Sequence, residues 1–377
     1  SALNMTRQFS IRVVTNLDGF SELASDWTHL LERSESREVF LSHEWLYHWT
    51  KQYLGVNRLW ILVFVDQRER VCAIAPFYIR RVRRNLVCRY REIAFLGSEG
   101  VGSSYLDIIV ERQYKQAVML RLYDFLFQEA VQEWDVLTLE EVPTGSLTID
   151  TLVDRFEEAG KVIQTMSSSG CSIIRLPRSC AEYRRTLSAN SRYNLQRKNK
   201  VLQRLGAVSY RHIEKGSELA DGFDSFVRLH EKRWVSNGTG GGAFHRAGFR
   251  LFHQDIVRVF AEKGWLTLSF LTLDDQPIAG IYGFVYGGTY YFYLPGFDPD
   301  LAPHASPGML LLAHRIEQAI EEGYRLFDLL QGEARYKTSW ANGTRHSLTL
   351  RAYNRRWPAL MLQCAQSVRQ ALKILVR

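Results

Sequence analysis

The feature that most constrains the fold is an internal repeat. Trp60-Ile-Leu-Val-Phe-Val-Asp-Gln-Arg-Glu-Arg-Val-Cys-Ala-Ile-Ala-Pro-Phe77 has the rhythm of Trp265-Leu-Thr-Leu-Ser-Phe-Leu-Thr-Leu-Asp-Asp-Gln-Pro-Ile-Ala-Gly-Ile-Tyr282. Each stretch reads as a strand, a polar turn and a returning strand. Each is followed by a long helix and then a buried strand, Trp134–Glu140 in the first half and Tyr324–Leu330 in the second. Strands first, then helix, then strand predicts two similar α+β units rather than one alternating α/β sheet.

The rest of the chain fits around that repeat. Phe9–Val14 alternates as a strand, Phe20–Glu32 and the Trp-rich His43–Tyr53 have helical spacing, and Arg89–Leu96 and Tyr105–Val110 read as strands. Tyr114–Glu133 and Leu147–Ala159 read as helices, and Lys161–Thr165 as the strand closing the first half. In the second half, helices are predicted at Ser217–Trp234 and Phe249–Lys263, around a glycine-rich segment at Asn237–Gly242. Trp265–Leu273, Ile278–Val285 and Thr289–Leu294 form a meander, because Asp274-Asp275 and Gly287-Gly288 are two-residue hairpin turns. Ser306-Pro307-Gly308 opens a long helix to Gly323, with Ser as N-cap and Pro at the first helical position. A short helix carries Tyr336 and Lys337, a last strand covers Ser347–Tyr353, and an amphipathic helix runs from Pro358 to Arg377. The expected organisation is a lobe at 5–174, a second lobe at 175–357 and the terminal helix at 358–377.

Composition narrows the class. With 46% hydrophobic residues in 377, the chain has ample apolar surface for a core, which excludes a disordered protein. No apolar run has the length of a membrane span, and no basic segment precedes an apolar one at the N-terminus, so a signal peptide is not expected. The five cysteines form no CxxC pair and no Cys/His cluster, so neither a metal site nor a disulfide framework is expected, and a cytoplasmic location is. The net charge of +8 is concentrated. Residues 175–215 hold eleven Lys and Arg against two acids, much of it on a helix expected from Tyr183 to Leu205. Arg80, Arg81, Arg83, Arg84, Arg89 and Arg91 cluster on one hairpin. Such patches attract phosphate, acidic carrier proteins, RNA or anionic lipid, yet no zinc finger, helix-turn-helix or RNP signature accompanies them. The terminal helix admits peripheral contact with a membrane.

In the second half, the order meander, loop, helix, strand, helix, strand resembles the GNAT acyltransferase fold. More specifically, the chain resembles the double-GNAT family that includes CelD-like proteins and the Fem-type peptidoglycan aminoacyl transferases. The residues carrying the resemblance are Glu44-Trp45-Leu46 with Trp49, Leu229-His230 with Arg233-Trp234, Ile278-Ala279-Gly280, Gly296-Phe297-Asp298, Ser306-Pro307-Gly308, and Asp328-Leu329-Leu330-Gln331-Gly332 with Tyr336-Lys337 and Trp340. The resemblance implies two tandem GNAT-like lobes, each a mixed, mostly antiparallel sheet flanked by helices. It also implies direct transfer of an acyl group from a thioester, acyl-CoA or the phosphopantetheine of an acyl carrier protein, to an amine or hydroxyl acceptor. Aminoacyl transfer from tRNA and a catalytically degenerate scaffold or RNA-binding module are the alternatives.

The resemblance further implies a donor site along Thr289–Gly296, with Leu294, Gly296, Ser306, Gly308 and Met309 as cofactor-binding residues. A helix N-terminus there would receive phosphate on its unpaired amides. The loop departs from the usual GNAT pattern, having one glycine, Gly308, among prolines 299, 303 and 307, so fewer amides can wrap a pyrophosphate. In the Fem-type branch the residue matching Lys337 belongs to the catalytic site; here it would stabilise an oxyanion or leaving group. Tyr336 is the candidate general acid, Asp328 a partner at the strand end, and His230 a candidate base. Glu44, Trp45, Asp107 and Arg233 are the candidate acceptor-binding residues.

Overall fold

The computed structural model describes residues 8–83, 89–168, 170–236, 238, 242–332 and 335–354; the side chains of 147, 236, 335 and 336 are not among what it describes. Two compact units divide the chain. The first takes residues up to 169 and resumes at 346; the second is 170–345.

In the first unit, β1 (Ser10–Val14) leads through α1 (Leu17–Glu22), α2 (Ala24–Arg33) and α3 (His43–Tyr53) to the hairpin strands β2 (Arg58–Val65), β3 (Val71–Arg83) and β4 (Arg89–Phe95). A short β5 (Ile109–Val110), α4 (Lys115–Asp124), β6 (Val136–Pro143), α5 (Leu147–Glu158) and β7 (Ile163–Ser167) follow. Three sequence expectations shift here. The first helix is two, because the chain breaks at Leu23. Most of 105–110 is loop. The helix expected to reach Glu133 closes with a π-helical turn at Phe125–Glu129.

The second unit comprises β8 (Cys171–Arg175), α6 (Cys180–Thr186), α7 (Ala189–Gln203), β9 (Val208–Ile213), α8 (Leu219–Ser236), α9 (Phe249–Lys263), β10 (Leu266–Leu273), β11 (Gln276–Tyr286), β12 (Thr289–Phe297), α10 (Pro307–Glu321), β13 (Leu326–Asp328), α11 (Arg335–Trp340) and β14 (Gly343–Arg345). A last strand, β15 (Ser347–Tyr353), returns the chain to the first unit. The basic helix is broken in two, since Leu187 is extended and Ser188 starts α7 afresh, its hydroxyl capping the Ser191 amide. Asp274 and Asp275 both take positive φ (48° and 64°), which closes β10 on β11 with the right-handed twist a hairpin requires.

The repeat seen in sequence is a repeat in topology. The first sheet runs β1-β2-β3-β4-β6-β15-β7, with β5 also paired to β3; the second runs β14-β8-β13-β12-β11-β10-β9. In both, four antiparallel strands are followed by one parallel pair, β4 with β6 and β12 with β13. The sixth position is exchanged. In the first sheet it is filled by β15, lying between β6 and β7, and in the second by β8, lying between β13 and β14. The sequence expectation placed the boundaries at 174/175 and 357; by compactness β8 goes with the second unit and residues 346–354 with the first. The terminal helix at 358–377 lies outside the described residues.

Both faces of the second sheet are covered. α8 and α9 pack on the face of Gly280, Tyr282 and Phe284, with Phe226 against Tyr282 and Phe260 against Phe284. On the opposite face, Ala279, Ile281, Tyr290 and Phe292 share a core with Leu311, Ile316 and Ala319 of α10.

Candidate active site in the second unit

β12 and β13 pair in parallel only over Thr289–Tyr291 and Leu326–Asp328. β12 then continues to Phe297, whereas the chain after Asp328 turns away, so that among the described residues no strand pairs with that edge of β12 beyond Tyr291. At Tyr293 the register against β11 slips by one residue, and this bulge bends the strand away from its neighbour. Pro295 follows; it brings no amide hydrogen to the edge, which is why a proline is tolerated there.

The splay opens into a cleft of about 500 Å³ between the end of β12 and the start of α10. Phe292, Pro295 and Phe297 form one wall, Pro303, Ser306 and Met309 the other, with Arg233 and Asp298 as its charged members. Ser306, Gly308 and Met309 line this cleft, and Ser306 stands at the N-cap position of α10 without capping it through its side chain. It takes the left-handed conformation (φ 51°) and its hydroxyl makes no capping bond. The Met309 and Leu310 amides bond back to the Ser306 carbonyl at 3.0 and 3.2 Å. Pro307 has no amide hydrogen, so Gly308 offers the one unpartnered amide of that first turn among the described residues.

Gly296 has a different task from the one expected. It faces Gly280 across the ladder, and a β-carbon on it would stand 2.6 Å from the backbone nitrogen of His230 and 2.9 Å from the carbonyl carbon of Leu229. Glycine is required because the backbone of α8 crosses the sheet there. Leu294, partly exposed, pairs with Tyr282 on the same strand pair.

His230, the candidate base, lies between β12 and the segment after α8. It is 1% exposed. One ring nitrogen, Nδ1, lies 2.8 Å from the Pro295 carbonyl, and the other, Nε2, accepts from the Ala243 amide at 3.3 Å. Burial holds its pKa down to about 4, with the Arg233 and Arg246 charges adding to that against the opposing bond to Pro295. A neutral ring with both nitrogens engaged pins the bulge of β12 to α8; it has no lone pair to offer a substrate. Arg233, one turn on, reaches the same carbonyl at 3.5 Å and lies 5.6 Å from the rings of both Trp234 and Phe297.

Asp298 and Lys232 form an ion pair whose aspartate stood in a quoted motif but was given no role by the sequence. Burial raises the Asp298 carboxyl, but the Lys232 ammonium and the Asp300 amide outweigh it and hold the group below the ordinary range. The proline spacing was the available signal, since a proline in a strand marks an edge or a bulge.

At the end of β13 the chain wraps an ammonium. Asp328, fully buried, accepts the Leu330 amide at 2.9 Å through Oδ1 and pairs with Arg345 at 3.3 Å through Oδ2. This holds Leu330 at a positive φ of 54°, and Gly332 follows at φ 130°. Lys337 Nζ donates to the carbonyls of Leu329 (2.8 Å) and Gln331 (2.6 Å), and a β-carbon on Gly332 would lie 3.0 Å from it. Strain of this kind persists only where surrounding contacts over-determine it. Burial lowers the Lys337 pKa to about 8; the Arg233 charge lowers it further, against the raising effects of Cys171 and Asp328. Arg233 therefore stands within electrostatic reach of Lys337 while lining the cleft. Asp328 acts as a positioning residue for this loop. Tyr336, described by its backbone alone, precedes Lys337 in α11; its side chain lies outside what is described.

Two of the candidate acceptor residues of the first unit, Trp45 and Asp107, are built into its core. The Trp45 indole, fully buried, donates to Ser103 Oγ at 2.9 Å. Asp107 accepts from the Ser36 and Ser146 hydroxyls at 2.9 and 2.8 Å and from the Ile108 amide at 2.8 Å; burial pushes its pKa up to about 6 against these bonds. Glu44 is half-buried at the start of α3, whose cap is Ser42. Among the described residues no three His, Cys, Asp or Glu converge as a metal site, and no helix is long and apolar enough to cross a membrane.

The splayed end of β12 thus faces the N-terminus of α10. Residues 189–338 match the acetyltransferase (GNAT) domain family. Among solved structures, FemX superposes with a TM-score of 0.62 at 10% identity, covering 94% of this chain and 99% of its own. A conserved protein of unknown function from Bacteroides thetaiotaomicron gives 0.56 at 12% identity, over 91% and 100%. The C-terminal domain of a putative lysylphosphatidylglycerol synthetase from Agrobacterium fabrum gives 0.51 at 12%, over 92% and 96%. No curated protein matches the sequence significantly. Within the second unit, residues 189–338 are thus a GNAT acetyltransferase-family domain, and the fold of the whole chain is shared with FemX.

Proposed function

We propose that the protein transfers an acyl group directly from a phosphopantetheine thioester to an amine or hydroxyl acceptor, with the donor in the second unit. The observation that carries this reading is that β13 pairs with β12 only as far as Tyr291, while β12 runs on to Phe297 beside an apolar cleft of about 500 Å³. An extended arm carrying amide groups pairs with such an edge as an added strand would. Attack of the acceptor on the thioester carbonyl builds negative charge on oxygen. The C–S bond then breaks, and the proton lost by the acceptor ends on the departing sulfur. Lys337 has one N–H left after its two carbonyl bonds, and we assign it to the charge that develops in that step.

The loop favours a carrier protein over coenzyme A. A carrier-bound arm has one phosphodiester, which suits the single amide of Gly308, whereas a pyrophosphate would call for more donors. The basic helix α7 leans on this loop, with Lys198 Nζ bonded to the His304 carbonyl at 2.6 Å. Arg197, Lys200 and Arg204 of this stretch have no partner among the described residues, and α7 contains no acid, which suits an acidic partner.

A thermal-shift panel of acetyl-CoA, a long-chain acyl-CoA, acylated carrier protein and aminoacyl-tRNA tests the reading. Stabilisation by the carrier protein, lost when Met309→Trp fills the cleft, is the expected result. Stabilisation by aminoacyl-tRNA alone, or by none of the four, overturns it.

A further inference from the structure

The first unit contains a second charged feature, remote in sequence from the donor cleft. β3 and β4 pair with Arg81 opposite Arg91 and Arg83 opposite Arg89. Residues directly opposite in an antiparallel pair project from the same face, so four guanidinium groups share one side of a two-stranded ribbon. Neighbouring arginines along each strand are roughly 7 Å apart and those across it about 5 Å. Like charges directly opposite destabilise a ladder, and two such pairs in succession are a local conflict that the rest of the sheet does not contain among its described residues. Arg91 is relieved by Asp135, whose carboxylate takes its Nε at 3.1 Å and its Nη2 at 3.2 Å. Arg81, Arg83 and Arg89 have no partner among the described residues. A cleft of about 530 Å³ opens on these four arginines.

We propose that this ribbon face is a binding site for a diphosphate ester, two linked phosphates held by the arginine quartet. Guanidinium groups recognise phosphate oxygens in bidentate fashion, which is why arginine serves where phosphate must be gripped. Four cations against the one carboxylate of Asp135 leave three positive charges, which two linked phosphates balance and one phosphate does not. The stripe is short. The next pair inward on the same face is Ile79 opposite Ile93, both buried, so among the described residues only two successive pairs are charged. That length fits two phosphates and a cleft of small-molecule size; a nucleic acid backbone would call for a continuing basic track. Bound phosphate would also neutralise the opposed arginines, so binding and relief of the conflict are one event.

The test uses the full chain, titrated with inorganic pyrophosphate, orthophosphate, ADP and phosphatidylglycerol vesicles, beside the double variant Arg81→Gln/Arg83→Gln. Pyrophosphate and ADP are expected to bind one to one, at least tenfold more tightly than orthophosphate. The double variant should lose at least tenfold in that affinity while melting higher than wild type without ligand, because each like-charged pair loses a member. A purely structural role for these arginines predicts a lower melting temperature instead. Equal binding of orthophosphate and pyrophosphate, binding to vesicles alone, or a double variant with unchanged affinity each overturns the proposal.

Discussion

Replacing Lys337 by Met separates what the buried ammonium costs the fold from what it does. In the native protein its pKa is about 8, against 10.5 for an unperturbed lysine. At roughly 1.4 kcal/mol per pKa unit, keeping this group charged at neutral pH costs the native state about 3 kcal/mol. Between those two values the unfolded chain binds more protons than the native one, so wild-type stability rises with pH across that window and is lowest below it. Met has similar length and no charge. It removes the penalty but leaves the Leu329 and Gln331 carbonyls without their donor, at about 1–3 kcal/mol each. The two effects oppose each other, so at pH 7 the variant should unfold within about 3 kcal/mol of wild type. Urea denaturation of both proteins at half-unit steps from pH 6.5 to 10.5 checks this. Wild type should gain up to about 3 kcal/mol on the Lys337→Met variant as pH rises, since all other groups cancel in the difference. Turnover with the donor found by the ligand panel should fall roughly 10²–10³-fold in the folded variant. Parallel stability curves would refute the buried-charge argument. A stable variant with wild-type turnover would remove Lys337 from the chemistry.

Three further outcomes follow from the same geometry. Gly296→Ala should destabilise by about 3 kcal/mol or more in chemical denaturation, because its β-carbon meets the backbone of α8 at 2.6 Å rather than a flexible side chain. His230 titrates near 4 in the native protein and near 6.5 when unfolded; the unfolded chain therefore takes up its proton first, and stability falls by up to about 3 kcal/mol as pH drops from 6.5 to 4, a loss that a His230→Asn variant should not share. Reversing Arg197 and Lys200 to Glu should slow association of an acidic donor more than it speeds dissociation, and added salt should reduce the difference, as stopped-flow mixing at two ionic strengths will show.

Much of the architecture is legible in the residues because it rests on local rules. The helices at His43–Tyr53 and Phe249–Lys263 and the strand at Ser347–Tyr353 fall where periodicity puts them, and the Asp274-Asp275 turn dictates its hairpin. The repeat itself is written in matching strand-turn-strand segments. The Lys337 loop is partly legible, since Asp328, Gly332 and Lys337 are close in sequence and their spacing survives folding. What the sequence could not say is where a strand goes once formed. β8 and β15 are short strands with nothing local to specify a sheet, and their exchange is decided by which edge, β13 or β6, remains open for pairing. Likewise, Ser306 has the composition of an N-cap, but the cap depends on a backbone angle set by the proline-rich loop before it. His230 looks like a base until a carbonyl 65 residues away and an amide 13 residues away claim its two nitrogens. Periodicity and turn chemistry act between neighbours and can be read in one dimension; pairing partners, burial and the protonation they impose come from residues that only the tertiary fold brings together.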